Sequence, residues 1–346
     1  MELKELLQVT ANNNASDLHL MVDKVPVVRI DGVLKELTDF PVITRVDMEK
    51  MVYNILSERQ KEKLLIEKDL DTSLEIEGLA RFRISIYWTM GNLALSARVI
   101  SPRLPTMEEI TMPKIGYDFT RLTGGLVLVT GPSGCGKSTT LAAMINLINH
   151  ERACNIITLE DPIEYVFSPV KSIISQRQLG TDFISFSNAL KHIVRQDPDV
   201  IMVGEMRDLE TIAAAVTLGE TGFLVLATLH TRSAARTIDR IIDVFPPNQQ
   251  AQIRLQLSLS LRGIIAQRLL PKVGGGRIAA REILVNIPSV ANLIRENKIA
   301  QIQNIIQTSA SEGMFTLDQD VNYLYKKGLI TKETAKAYLT DSKHLG

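Results

Sequence analysis

The sequence predicts an α/β protein of two domains, a small mixed first domain and a larger second one built on a mostly parallel sheet. Three observations carry this. The chain has 346 residues, more than one ordinary core uses. From Arg81 apolar and polar residues alternate, as half-buried strands require. Beyond residue 112, short apolar runs alternate with helical segments, as strands covered on both faces require.

In chain order, Thr44 can cap a helix whose apolar face is Met48, Met51, Val52, Ile55 and Leu56. Phe82, Ile84, Ile86 and Trp88 then alternate with Arg81, Arg83, Ser85 and Tyr87, and Met90-Gly91-Asn92 makes a turn. The returning strand carries Leu93, Leu95, Ala97 and Val99 on one face and Ala94, Ser96 and Arg98 on the other. Pairing Trp88 with Leu93 sets Arg83 opposite Arg98. Pro102, Pro105 and Pro113 punctuate an aperiodic stretch, which reads as a linker over residues 101–112 between domains at 1–100 and 113–346. The buried runs of the second domain are residues 126–129, 156–159, 200–203 and 223–227.

Composition removes several classes. The 39 basic residues balance 39 acidic ones, so no overall positive field gathers nucleic acid or anionic lipid, and no nucleic-acid partner is expected. Two cysteines, Cys135 and Cys154, give neither a disulfide framework nor a zinc-binding spacing. The first residues lack the basic-then-apolar order of a secretory signal. Residues 211–231 are apolar, but Gly219-Glu220-Thr221-Gly222 divides them into a helix and a strand, so a cytosolic chain without a membrane span is expected.

The chemistry begins at Gly131-Pro132-Ser133-Gly134-Cys135-Gly136-Lys137-Ser138, which fits G-x-x-x-x-G-K-[ST] between a buried strand and a helical run. In such a loop successive backbone N–H groups turn around phosphate oxygens. Ser133, Gly134, Cys135, Gly136, Lys137, Ser138 and Thr139 are therefore expected to hold ATP, with Lys137 on the β/γ-phosphates and Ser138 on Mg²⁺. Glu160-Asp161-Pro162-Ile163-Glu164 follows the second buried run, where one carboxylate would polarise the attacking water unless the segment is a solvated acidic loop. The third run ends in Gly204-Glu205, so Glu205 is the candidate Mg²⁺-supporting carboxylate. Gly204 stands where Asp is usual, which suggests a water-mediated contact. His230 ends the fourth run and points to the γ-phosphate edge, or else is an ordinary core or surface histidine. Arg81, Arg83 and Arg98 share one polar face and repel unless an anion lies between them, such as the phosphates of a neighbouring site; otherwise they are solvated.

Together, GPSGCGKSTT, ITLEDPIEY, DPDVIMVGEMRD and ATLHT closely resemble the secretion and pilus ATPase superfamily, and within it the PilT-type retraction ATPases. The likeness runs from Ala15-Ser16-Asp17-Leu18-His19-Leu20 almost to the C-terminus. It implies a PAS-like α+β first domain, a RecA-like P-loop ATPase domain with C-terminal helices, and a hexameric ring. It also implies a catalytic carboxylate at Glu164, a Walker-B role for Glu205 and a His-box role for His230. The arginines then become phosphate sensors at a domain or subunit boundary. The expected setting is the cytoplasmic face of the inner membrane, reached through a pilus platform protein. Assembly and type II secretion ATPases carry a longer N-terminal region and usually a four-cysteine zinc motif, which favours retraction here over assembly; an accessory paralogue is the other reading. The family's AIRNLIRE box reads SVANLIRE, with Ala291 in place of its first arginine.

Overall fold

The computed structural model describes residues 1–13, 15–30, 32–100 and 103–339. It divides into one compact unit of Met1–Arg103 with Pro162–Val166, and a second of Leu104–Asp161 with the rest of the chain. Of the linker expected over 101–112, Ser101 and Pro102 lie outside the described residues, as do residues 340–346 of the second domain.

The first unit contains α1 (Leu3–Asn12), β1 (Asp17–Met21), β2 (Val27–Ile30), β3 (Val33–Glu36), α2 (Arg45–Tyr53), α3 (Glu58–Glu67), β4 (Asp69–Ile76), β5 (Ala80–Thr89) and β6 (Asn92–Ile100). The strands form an antiparallel sheet in the order β3-β2-β1-β6-β5-β4. Thr44 caps α2 in a reciprocal box with Asp47, and Met48, Met51 and Val52 are buried. The helix stops at Tyr53, so Ile55 and Leu56 follow it instead of extending its face. Phe82, Ile84, Ile86, Leu93 and Leu95 pack with Leu6, Leu7 and Leu64 of the helices. Each such fully buried side chain contributes about 2 kcal/mol of hydrophobic stabilisation.

The β5–β6 hairpin has the register read from alternation, with Trp88 opposite Leu93 and Arg83 opposite Arg98. Met90 and Gly91 both take positive φ, 49° and 77°, the geometry of a two-residue turn that follows the strand twist. The arginines, however, do not face one another unneutralised. Arg98 Nε lies 2.8 Å from Asp17, Arg83 3.4 Å from Asp71 and Arg81 3.7 Å from Glu75. Asp17 and Glu75 sit directly across neighbouring strands, and Asp71 one diagonal step away, within the range of cross-strand pairing. The face is charge-balanced, so it needs no bound anion to relieve repulsion. Burial works to raise the Asp17 carboxyl, but the Ser16 hydroxyl and the Arg98 guanidinium together hold it below its ordinary range.

The second unit opens with residues 104–112 of the expected linker, which are docked on it. Thr106 and Glu109 cap one another's backbone, and Met107 and Met112 are buried. Then come α4 (Lys114–Thr120), β7 (Gly125–Thr130), α5 (Lys137–Glu151), β8 (Asn155–Glu160), β9 (Ile173–Gln178), α6 (Phe186–Ile193), β10 (Val200–Val203), α7 (Leu209–Glu220), β11 (Leu224–Leu229), α8 (Ala234–Asp243) and α9 (Pro247–Ser260). Strands β12 (Leu261–Pro271) and β13 (Arg277–Val285) precede α10 (Pro288–Arg295), α11 (Ile302–Thr308), α12 (Leu317–Lys326) and α13 (Lys332–Tyr338). The sheet order is β13-β12-β7-β11-β10-β8-β9, parallel except for β13. Every residue of β7, β10 and β11 is buried, the run-type pattern of strands covered on both faces. Because β7, β8, β10 and β11 are parallel and in register, their carboxyl ends share one sheet edge, where ligands bind in open α/β sheets.

Two further features shape this unit. Arg281 of β13, only 2% exposed, donates to the carbonyls of Ile110 (2.7 Å) and Thr111 (3.0 Å), tying residues 104–112 to the sheet. Burial pushes its guanidinium down to about 10, against the pull of Asp320. Around the AIRNLIRE-like box, Val290 and Ile294 of α10 are buried, whereas Ala291 is half-buried. Among the described residues, no helix is long and apolar enough to cross a membrane.

Candidate nucleotide site

The loop after β7 owes its shape to glycine. At Gly131 φ is 143°, and a Cβ would meet the Gln267 carbonyl at 2.3 Å and the Cys135 sulfur at 2.6 Å. Gly136, at φ 90°, caps α5 at its N-terminus. Only glycine accepts both the left-handed backbone and the close approach of β12. The result is a backbone cradle at a helix N-terminus, suited to an anion. Lys137 lies within it: its ammonium donates to the carbonyls of Gly131 (2.9 Å) and Pro132 (3.2 Å). Ser133, Gly134 and Ser138 are exposed, Thr139 is half-buried and Cys135 is buried. Burial pushes the Cys135 thiol up, against the pull of the Lys137 charge.

Across the sheet edge, Lys137 leads into a chain of polar contacts. Its Nζ is 3.4 Å from His230 Nδ1, and His230 Nε2 is 2.8 Å from Glu205 Oε1. Arg207 holds the other oxygen of Glu205 at 2.7 Å. An ammonium can only donate, so Nδ1 accepts and Nε2 carries the proton given to Glu205. Burial acts to raise the Glu205 carboxyl, but the hydrogen bond from Arg207 and the surrounding His230, Arg207 and Lys137 bring it below its ordinary range. Glu205 is therefore a carboxylate with both oxygens engaged. Gly204 also has a steric reason: a Cβ there would come within 3.1 Å of the Leu159 carbonyl, where β10 runs beside β8.

The acidic box divides. Glu160 is buried and accepts from Thr158 (2.6 Å) and Gln176 (3.0 Å), so its carboxylate braces β8 against β9. Asp161 is exposed and contributes to the field around Arg207. Glu164 belongs to the segment Pro162–Val166 that groups with the first unit, as do Arg81, Arg83 and Arg98. Lys137, Glu205 and His230 are thus brought together directly; Glu164 and the three arginines are not part of that contact chain.

Sequence reading missed Arg207 and Gln267. Arg207 stands two residues after Glu205, and the alternating loop GEMRD was its only signal. Gln267 lies on β12, where its amide donates to the Cys135 carbonyl (2.8 Å) and accepts from Thr140 (2.9 Å). No local pattern connects it to a loop more than a hundred residues earlier. A cavity of about 390 Å³ opens beside it, lined by Gly136, Thr139, Gln267, Leu269 and Arg277 among others.

A glycine cradle at the end of a parallel strand, a lysine inside it and a carboxylate on the adjacent strand end define a P-loop ATPase. The chain belongs to the Type II/IV secretion system protein family, whose model matches residues 2–305. It is 44% identical over 336 residues to the type IV pilus retraction ATPase PilT of Pseudomonas aeruginosa, spanning 97% of each chain. It is also 44% identical to the twitching motility protein of Neisseria gonorrhoeae, over 92% of this chain and 86% of that one. The crystal structure of the pilus retraction motor PilT with bound ADP superposes with a TM-score of 0.93 at 45% identity, covering 100% of this chain and 99% of that one. The fold is accordingly that of PilT, an N-terminal domain followed by a RecA-like ATPase domain, and the chain is a nucleotide-binding ATPase.

Proposed function

We propose that this chain is a ring-forming motor that retracts type IV pili by hydrolysing ATP. The carrying observation is near-full-length identity of 44% to a retraction ATPase, joined to a P-loop whose lysine is linked through His230 to Glu205. In this reading residues 133–139 hold the phosphates and the cavity beside Gly136 and Thr139 takes the nucleoside. The donor set suits Mg²⁺. The exposed Ser138 hydroxyl would ligate it, and Glu205, with both oxygens engaged by protein, would hold it through water. Such an ion offsets the charge that develops on the phosphate oxygens.

Glu164 is the proposed water-orienting carboxylate. The ring is a homohexamer at the cytoplasmic face of the inner membrane, held there by a pilus platform protein. In a pilus-bearing host, deleting the gene is expected to leave cells with excess pili and no twitching. Bald cells would instead mark an assembly motor.

Arg81, Arg83 and Arg98 are proposed to meet the phosphates of an adjacent subunit, trading their carboxylate partners for ATP. An arginine supplied in trans changes P-loop turnover by about 10³ to 10⁵. Arg83→Ala should then lower hydrolysis with the fold intact. Mixing Arg83→Ala with Lys137→Ala chains should restore part of the activity, because some interfaces join an intact P-loop to an intact arginine. Mixtures no more active than the separate variants would return Arg83 to its pairing with Asp71.

A further inference from the structure

Gln267 is a neutral amide, 2% exposed, whose two ends are both engaged. The geometry points to it as the positioning residue that fixes the orientation of the peptide between Cys135 and Gly136, and so readies the P-loop for phosphate. This rests on the nucleotide-binding reading of the loop and deepens it.

The peptide unit is planar and trans, so a carbonyl and the N–H that follows it point to opposite sides. The Cys135 carbonyl is held toward β12 by the Gln267 amide at 2.8 Å. The N–H of Gly136 is thereby turned away from the strand and presented to a phosphate oxygen. Within the loop the Cys135 N–H is tied to the Pro132 carbonyl (3.3 Å), a bond that fixes the preceding peptide rather than this one. Gly136 sits at positive φ, 90°, and glycine accepts either sign, so on its Gly136 side this peptide meets little steric resistance to turning. The restraint has to come from outside, and β12 supplies it at two points. The Gln267 backbone carbonyl closes against Gly131, and its side chain holds Cys135. The Thr140 hydroxyl, donating to Oε1 at 2.9 Å, keeps the amide from rotating, so that its NH₂ end faces the loop. A general packing role would need neither the amide nor its direction.

Two variants separate these roles. Gln267→Met keeps the size and loses both hydrogen bonds. Gln267→Glu keeps an acceptor for Thr140 but has no donor for Cys135. ADP binding by titration calorimetry and the melting temperature without nucleotide are measured for both. Each variant should melt near the wild type yet bind ADP about tenfold more weakly, the scale of one lost buried hydrogen bond, with KM for ATP raised in step. Wild-type ADP affinity in either folded variant would overturn the proposal. Failure of both to fold would also overturn it, since the amide would then support the domain rather than one peptide. Absence of ADP binding by the unmutated protein would instead defeat the P-loop reading itself.

Discussion

Lys137→Ala is expected to abolish ATP turnover, with steady-state hydrolysis down by at least about two to three orders of magnitude. Lys137 is a nine-tenths buried residue, and its ammonium is positioned by two loop carbonyls and His230. Alanine removes the one lysine in the cradle, and with it the loop's own cation for the charge that develops on the phosphates. It also releases the carbonyls of Gly131 and Pro132 and takes one neighbour from His230. The sheet does not depend on this side chain, so circular dichroism and the melting temperature should stay near the wild type. A phosphate-release assay reads the result. Wild-type turnover in a folded Lys137→Ala chain would remove the P-loop from the chemistry.

Glu205→Gln should bind ADP normally yet hydrolyse ATP about a hundredfold more slowly, the usual scale for a lost electrostatic contact in a water-excluded site. Both oxygens of Glu205 accept, one from Arg207 and one from His230. An amide has one oxygen and one NH₂ group, so it can satisfy one of these donors and must face the other with a donor of its own. The chain from Lys137 to Arg207 therefore breaks at its centre even though the side chain keeps its shape. Because the Glu205 carboxyl lies below its ordinary range, wild-type hydrolysis should not fall from its protonation until well into the acid. Normal turnover in the amide variant would assign the task to another carboxylate.

How much of this was legible in the sequence depends on how local each feature is. The hairpin register followed from alternation and a two-residue turn, and the P-loop from glycines that no other residue replaces. Lys137, Glu205 and His230 follow or end parallel strands, so strand order alone brought them to one edge. What failed were features set by distant partners. The arginine face reads as repulsive from the hairpin alone, whereas Asp69, Asp71, Ser73 and Glu75 alternate one strand away and place acidic partners beside it. Residues 104–112 carry prolines and no period, yet the buried Arg281 holds them from far along the chain. Gln267 is invisible for the same reason, a single amide in an apolar strand.

The central claim is that hydrolysis at this P-loop pulls pili inward. It is tested most directly by watching labelled single pili in a host whose only copy of the protein carries Lys137→Ala. Pili should extend and persist, with no retraction events despite normal levels of the protein. Retraction at the wild-type speed in those cells would contradict the account.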